Sequence, residues 1–293
     1  MVGIHIKIKN KLRRYKRNPG ALLIRLLVTG SAFITLSVLI FIIGYILYNG
    51  IPHITADFFA WEYNSVNVSV TPALVNTIIM VFFSLIITVP VGVFAAVYLV
   101  EYTKRENKTV GIIRLTTETL SAIPSIVYGL FGFLFFVTTL KWGISLISGV
   151  FTVSVMVLPL IVRTTEEALK AVPESYREGS FALGAGKFRT VFSIVIPAAF
   201  PGILSGIILA IGRIVGETAA LIYTAGTVAE IPSGKDFLFD SARTLSLHMY
   251  ALASEGLHIN QAYATAAVLL VIVLLINRLS ALLAKKIMKG KKT

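Results

Sequence analysis

The stretch that decides the fold is a short charged passage between two very apolar regions. Residues 177–189 read REGSFALGAGKFR, and residues 194–197 read IVIP. A chain that crosses a lipid bilayer must satisfy its backbone polar groups internally, and it avoids charge in the hydrocarbon. A charged break between apolar runs therefore indicates a segment that meets water. We expect this segment to be a contact surface for a soluble partner.

The composition is that of a polytopic membrane protein. Of the 293 residues, 56% are hydrophobic and 14% are charged, whereas soluble domains average about 25% charged residues. The chain has no cysteine, which excludes disulfides and cysteine-ligated metals. Its four histidines lie far apart in sequence, so no metal site is expected. The net charge of +13 is concentrated beside apolar segments, which favours a membrane protein over a nucleic-acid binder.

Six apolar stretches are long enough to cross about 30 Å of hydrocarbon as helices. They are residues 26–48, 73–100, 115–140, 142–162, 202–226 and 257–277. An even number of spans places both termini on one side, and basic tails put that side in the cytoplasm. The sequence thus predicts an all-α protein of six transmembrane helices, with a basic cytoplasmic tail at residues 1–25 and one transmembrane domain at residues 73–284.

The charges of the loops test this topology independently. The predicted exterior loops, residues 49–72 and 227–256, carry Lys235 and Arg243 against six carboxylates. Basic residues of the predicted interior loops are Lys104, Arg105, Lys108, Arg163, Lys170, Arg177, Lys187 and Arg189. The alternation follows the positive-inside rule. It favours a cytoplasmic position for residues 163–197, between the fourth and fifth spans.

Within this interior loop, residues 163–189 have the pattern of two short helices. Pro173 suits the first turn of the second helix, and Gly184 would end it. Glu174 and Glu178 lie toward its N-terminal end, where the helix dipole favours carboxylates. A helix of about three turns can dock in a groove of another protein. An ordinary re-entrant amphipathic loop is the alternative.

The same loop resembles the EAA loop of bacterial and archaeal ABC importer permeases. That motif is a Glu-Ala-Ala triplet, a glycine after three more residues, and Ile-x-Leu-Pro after nine further residues. The positions in register are Glu178, Gly179, Ser180, Gly184, Ile194 and Pro197. Gly-Ser stands in place of Ala-Ala, and Ile196 in place of Leu. The resemblance implies that a coupling helix docks in a cleft of an ATPase subunit.

The chain itself is not expected to bind nucleotide or to catalyse a reaction. Residues 184–187 read GAGK, but a phosphate-binding loop needs G-x-x-x-x-G-K-[ST], and Phe181 and Phe188 break that pattern. No pair of buried aspartates, no Ser with His and no HExxH motif lies in a predicted span, which argues against an intramembrane enzyme. ATP and Mg would be bound by the partner ATPase, leaving this chain without a cofactor or metal.

Two ionisable residues, Arg213 and Glu217, lie four residues apart in the fifth predicted span. Charge at this depth costs about 2.5–3.5 kcal/mol per residue on insertion scales, so such groups normally face a partner or a wet pathway. We expect Arg213 to present a cation to a translocating anion or to the gate. An intrahelical bridge to Glu217 is the alternative. Asn76 and Ser125 are also expected to line the path, with hydrogen bonding between helices as their alternative role.

Three passages resemble the permease family of ABC phosphate importers, the PstA type, whose fold is MetI-like. They are AIPSIVYGLFG at 122–132, GRIVGETAALIYTAG at 212–226 and TLSLHMY at 244–250. The resemblance implies a heterodimer with a PstC-type sister permease, two copies of an ATPase, and an extracytoplasmic phosphate-binding protein at the cell membrane. A PstC-like subunit, a permease for another oxyanion, and a secondary carrier or channel are the alternatives.

Overall fold

The computed structural model describes residues 19–103 and 108–290, and in these ranges the chain is helical with no strand. The helices are α1 (Pro19–Gly50), α2 (Thr71–Tyr102), α3 (Lys108–Ser121), α4 (Ser125–Thr139), α5 (Leu146–Lys170), α6 (Glu174–Ala182), α7 (Lys187–Val215), α8 (Ala219–Thr224), α9 (Leu245–Glu255) and α10 (Ile259–Gly290). The predicted all-α fold is confirmed. The basic N-terminal residues 1–18, Lys104, Arg105 and the basic side chains from residue 285 onward lie outside the described part.

Five of the described helices are long and apolar enough to cross a membrane, namely α1, α2, α5, α7 and α10. α3 and α4 meet the same criterion only as a pair, and the pair is bent by 99°. The predicted third span, residues 115–140, is therefore not one straight helix. Pro124 explains the break, because proline lacks an N–H and disfavours helix at the residue before it. Its own backbone is extended, and α4 begins immediately after it.

The fifth span differs most from its prediction. α7 covers Lys187–Val215 instead of residues 202–226. Its first turn carries Lys187 and Arg189, both exposed, and long basic side chains at a helix end can stay in water while the apolar part spans. Gly216 then caps the C-terminus, and α8 is a separate short helix. The first of the two short helices predicted in the interior loop is likewise the end of α5.

α5 is the central helix of the bundle and packs between α2 and α7. Gly206 of α7 permits this close approach, since a Cβ there would lie 2.1 Å from Thr164 Oγ1 of α5. At its start, the first N–H of α5 donates to Asp240 O in the segment between α8 and α9. At its other end, α5 leads into α6. We call these two ends of the bundle the loop end and the α6 end.

α1 stands apart from the rest of the bundle and packs mainly against α10. None of the residues in its most apolar stretch is buried within the chain, against 67% for α5. A long helix that is apolar on all sides must be surrounded by lipid or by another apolar surface. The exposed apolar surface of α1 is therefore typical of a helix in an integral membrane protein.

Candidate coupling helix and translocation site

One buried arginine holds α6 against the bundle. Arg177 is 8% exposed, and its Nη2 lies 2.7 Å from Oε1 of Glu101 at the end of α2. Nη1 also pairs with Glu174 at 3.3 Å and donates to Val172 O, while Nη2 donates to Leu169 O. The hydrogen bond to Glu101 raises the pKa of Arg177 above its ordinary value. The guanidinium therefore stays charged and ties α6 to both α2 and α5.

A second contact fixes the C-terminal part of α6 to the start of α7. Ser180 Oγ and Thr190 Oγ1 lie 2.8 Å apart, and both residues are buried. Between them, Gly184 has a φ of +80°, a conformation that glycine adopts without strain. α6 therefore ends in the turn that the sequence predicts, and both of its ends are fastened.

The opposite face of α6 is open. Glu178 and Gly179 are exposed, Tyr176 is 53% exposed, and Leu183, just after the helix, is 90% exposed. Phe188 at the start of α7 is 68% exposed. Apolar side chains grouped in this way and rimmed by charge are typical of a protein interaction surface. Arg177 links this surface to α2 and α5.

The other two residues of the EAA-like motif lie inside α7. Ile194 belongs to a π-helical segment, Val191–Val195, and Pro197 follows it within the next turn. Both side chains are half-buried. The motif thus has an exposed part on α6 and a half-buried part in the helix that leads from α6 into the bundle.

A second charged cluster, absent from the predictions made above, lies at the α6 end. Glu166 of α5 is 9% exposed, and its Oε1 lies 2.6 Å from Lys170 Nζ and 2.7 Å from Arg114 Nε of α3. The spacing of Glu166 and Lys170 is that of neighbours on one helix face and is visible in the sequence. Arg114 stands far earlier in the chain, and only the fold brings it here.

The structure separates Arg213 from Glu217. Arg213 is half-buried in the last turn of α7, close enough to Tyr128 of α4 to act on its hydroxyl electrostatically. Glu217 is buried beyond the helix end, where its Oε1 accepts a hydrogen bond from Ala220 N of α8. Among the described residues no ion pair joins the two. The alternative of an intrahelical bridge is wrong, because α7 ends between them.

Asn76 and Ser125 occupy different environments. Asn76 is fully buried in α2, and its Nδ2 donates to Glu230 O at 2.9 Å and to Arg243 O at 3.3 Å. Its amide thus ties α2 to the segment between α8 and α9, which is a hydrogen-bonding role. Ser125 is half-buried at the start of α4, one turn before Tyr128. Of the four predicted pathway residues, Ser125 and Arg213 therefore both lie near Tyr128.

At the loop end, a second buried arginine contrasts with Arg177. Arg243 is 9% exposed; its Nε donates to Thr227 O at 2.6 Å, while its Nη1 is buried without a hydrogen bond in the described structure. Its guanidinium carbon lies 5.7 Å from the centre of the Tyr63 ring. The ring of His248 contacts Tyr63 edge-on, with centroids 5.9 Å apart. Burial and the charge of Arg243 lower the pKa of His248 to about 4.

Two relatives resemble this chain over most of its length. The probable ABC transporter permease protein YqgI of Bacillus subtilis (strain 168) is 35% identical over 262 residues, which are 84% of this chain and 88% of the relative. The phosphate transport system permease protein PstA 1 of Mycobacterium tuberculosis (strain ATCC 25618 / H37Rv) is 35% identical over 214 residues, covering 72% of this chain and 68% of the relative.

Solved structures share the fold at lower identity. The inward-facing MetNI methionine ABC transporter contains a chain with a TM-score of 0.58 and 22% identity, covering 74% of this chain and 94% of that one. A bacterial ABC transporter involved in the import of the acidic polysaccharide alginate gives a TM-score of 0.62 at 18% identity, covering 93% and 98%. These likenesses support the predicted MetI-like permease fold.

A family model gives the assignment. The model described as binding-protein-dependent transport system inner membrane component matches residues 88–289, which include the end of α2 and all helices from α3 to α9. The matched region contains α6, its anchor Arg177 and the residues near Tyr128. The chain therefore belongs to the family of binding-protein-dependent transport system inner membrane components, the MetI-type permeases of ABC importers.

Proposed function

We propose that this chain is the permease subunit of an ATP-driven phosphate importer in the cell membrane. Relatives described as phosphate transport system permease proteins PstA are 35–41% identical to it over 153 to 214 residues. The passages at 122–132 and 212–226 support the same cargo. Because the name of YqgI specifies no cargo, a permease for another oxyanion is the second candidate.

The observation that carries the proposal is the attachment of α6. The helix has an exposed face that includes Glu178, and its buried face is fastened to α2 through the 2.7 Å pair of Arg177 and Glu101. A surface that only met solvent would not need an anchor of this kind. We infer that the exposed face docks in a groove of an ATPase subunit, which binds ATP and Mg²⁺, and that the α6 end faces the cytoplasm.

The translocation pathway is completed by a second membrane subunit, a PstC-type sister. Arg213 supplies one half-buried cation near the bend between α3 and α4, and a multiply charged anion needs further cations or amides from elsewhere. A Cβ on the neighbouring Gly212 would meet no atom of this chain within 4 Å, so this face of α7 has room for a partner. An extracytoplasmic phosphate-binding protein would deliver the anion at the loop end.

Uptake of radiolabelled phosphate into proteoliposomes tests the proposal. The liposomes would contain this chain, its sister permease and the ATPase, with the binding protein added outside. We expect accumulation that requires ATP, persists without an ion gradient, and is not competed by sulfate. Competition by sulfate would favour the second candidate, and uptake driven by an ion gradient alone would contradict the proposal.

Arg213→Ala tests the role of the pathway cation in the same assay. We expect at least tenfold slower uptake with unchanged assembly, because the anion loses a charge-assisted contact. Arg163→Ala is the matched control, since Arg163 is an exposed arginine whose only described ion pair is with its helix neighbour Glu167. Normal uptake by well-folded Arg213→Ala protein would remove Arg213 from the pathway.

A further inference from the structure

A cavity of about 630 Å³ lies at the α6 end, between α2, α3 and α6, away from the residues near Tyr128. Its volume is in the range of small-molecule sites. The charged residues that line it are Glu101, Arg114, Lys170, Glu174, Arg177 and Lys187. They come from five different helices, so the fold and not a local sequence run brings these charges together.

The carboxylates of this cluster are mostly turned into the protein, whereas three of its four cations are accessible. The side chains of Glu101 and Glu166 are 8% and 11% exposed, against 37% for Arg114 and 51% for Lys170. Lys187 is also exposed. The buried carboxylates thus hold Arg114, Lys170 and Arg177 in place. Three basic side chains, Arg114, Lys170 and Lys187, remain within reach of a ligand.

These three cations keep donors that their ion pairs do not use. Lys170 Nζ can donate three hydrogen bonds, and it donates one of them to Glu166. Only the Nε of Arg114 pairs with Glu166 in the described part of the chain. Lys187 Nζ lies 5.3 Å from the centre of the Tyr102 ring, a contact that uses no hydrogen-bond acceptor.

Arg177 has a different role in the cavity. Its guanidinium is engaged by Glu101, Glu174 and two backbone carbonyls, so it positions the wall and has little capacity for a ligand. Among the described carboxylates of the cluster, Glu174 is the one that is exposed, at 70% of its side chain. Counting the four cations against Glu101, Glu166 and Glu174 leaves one positive charge in excess.

We propose that this cavity binds a phosphate group through Arg114, Lys170 and Lys187. A tetrahedral oxyanion offers several acceptors to three converging cations, which is the recognition chemistry that basic side chains provide. The group can belong to the head of an anionic phospholipid or to free inorganic phosphate. Because the site adjoins α6, its occupant would brace the helix that we assign to coupling. The site is separate from the pathway near Arg213.

Two binding measurements on the purified full-length chain separate these sources. In nanodiscs of phosphatidylcholine alone, equilibrium dialysis measures the binding of radiolabelled inorganic phosphate. In detergent without phosphate, native mass spectrometry measures retained phosphatidylglycerol. Binding in the first assay identifies free phosphate, and retention in the second identifies a lipid head group. Either result supports the proposal if it depends on the cavity cations.

The dependence is tested with Lys170→Gln/Lys187→Gln, which removes both positive charges, keeps a polar side chain at both positions and leaves Arg177 in place. We expect binding about tenfold weaker or more, from the loss of charge-assisted hydrogen bonds. Lys187→Gln alone should show part of this loss with the other ion pairs of the cavity intact, because the contact of Lys187 in the described structure is with the Tyr102 ring. Lys235→Gln, a change to an exposed lysine at the loop end, is the matched control.

Arg213→Gln separates this site from the pathway. If phosphate binding is lost in Arg213→Gln and kept in the double lysine variant, the anion binds in the pathway, which supports the proposed function and overturns the cavity site. If neither phosphate nor phosphatidylglycerol binds the wild type more tightly than the double variant, the proposal is also overturned. Binding that survives Arg213→Gln and fails in the double variant confirms it.

Discussion

The two ends of the bundle each bury an arginine, and the two residues differ in their partners. Arg177 at the α6 end is 8% exposed and pairs with two carboxylates. Arg243 at the loop end is 9% exposed and has no carboxylate within 4 Å in the described structure. Its neighbours are instead a carbonyl, an aromatic ring and the neutral His248.

The difference indicates two kinds of mechanical role. A saturated ion pair is strongly destabilised when one partner is removed, because an unpaired charge is left in a dry place. Such a pair resists separation and can transmit motion between α6 and α2. Removing an arginine that has no counter-charge leaves no unpaired carboxylate, so this penalty does not apply. The groups around such an arginine respond instead to any change in nearby charge. We therefore expect the loop end to be the more sensitive to pH and the α6 end to be the more rigid.

The largest effect is expected from Arg177→Met, which leaves Glu101 buried and unpaired. We expect a loss of about 3–5 kcal/mol in the free energy of unfolding, measured by denaturant titration of the protein in detergent micelles. Glu101→Gln added to this variant should restore part of the loss, since it removes the orphaned charge. Arg163→Met is the matched control, because the Arg163–Glu167 pair is 59% and 66% exposed and contributes about 0.5 kcal/mol or less. Equal losses in both variants would contradict the anchoring role.

The next effect is a pH dependence that originates at His248. Its pKa is about 4 in the folded protein and 6.5 ordinarily, so the unfolded chain takes up the proton first. The contribution of neutral His248 to the free energy of unfolding is complete above about pH 7. As the pH falls from 6.5 to about 4, this contribution of roughly 3 kcal/mol is lost. Unfolding titrations at several pH values should show this slope, and His248→Gln should flatten it while the control His258→Gln keeps it. An unchanged slope in His248→Gln would place the titration elsewhere.

Arg243→Met should have the smallest effect of the three. The variant loses the hydrogen bond to Thr227 O and the contact with Tyr63, but it leaves no carboxylate unpaired. We expect a loss of about 1–2 kcal/mol at neutral pH and a weaker pH dependence, because the charge that opposes protonation of His248 is gone. A loss as large as that of Arg177→Met would show that Arg243 has a counter-charge after all.

The sequence predicted the elements whose causes are local. Apolar runs longer than 20 residues identify α1, α2, α5 and α10, because the bilayer imposes that length. Pro173 and Gly184 place α6 correctly, since helix ends depend on single residues. The exposure of Glu178 and Gly179 also agrees with the predicted surface.

The features that the sequence did not predict depend on contacts between distant segments. Nothing in the spacing of Glu101 and Arg177 links them, yet their pair anchors α6. The alternative of an Arg213–Glu217 bridge failed, because hydropathy does not show that α7 stops at Val215. The 99° bend before α4 lies at Pro124, which is visible in the sequence, but a proline by itself does not fix the angle between the two helices.

The central claim is that a separate ATPase engages the exposed face of α6. The chain has no cysteine, so Leu183→Cys provides a single reactive thiol on the most exposed apolar residue of this face. In the assembled transporter, a short bifunctional thiol cross-linker should join position 183 to the ATPase subunit, and a membrane-impermeant maleimide added to intact cells should not label it. Labelling from outside the cell, or the absence of any cross-link to the ATPase in an active complex, would contradict the claim.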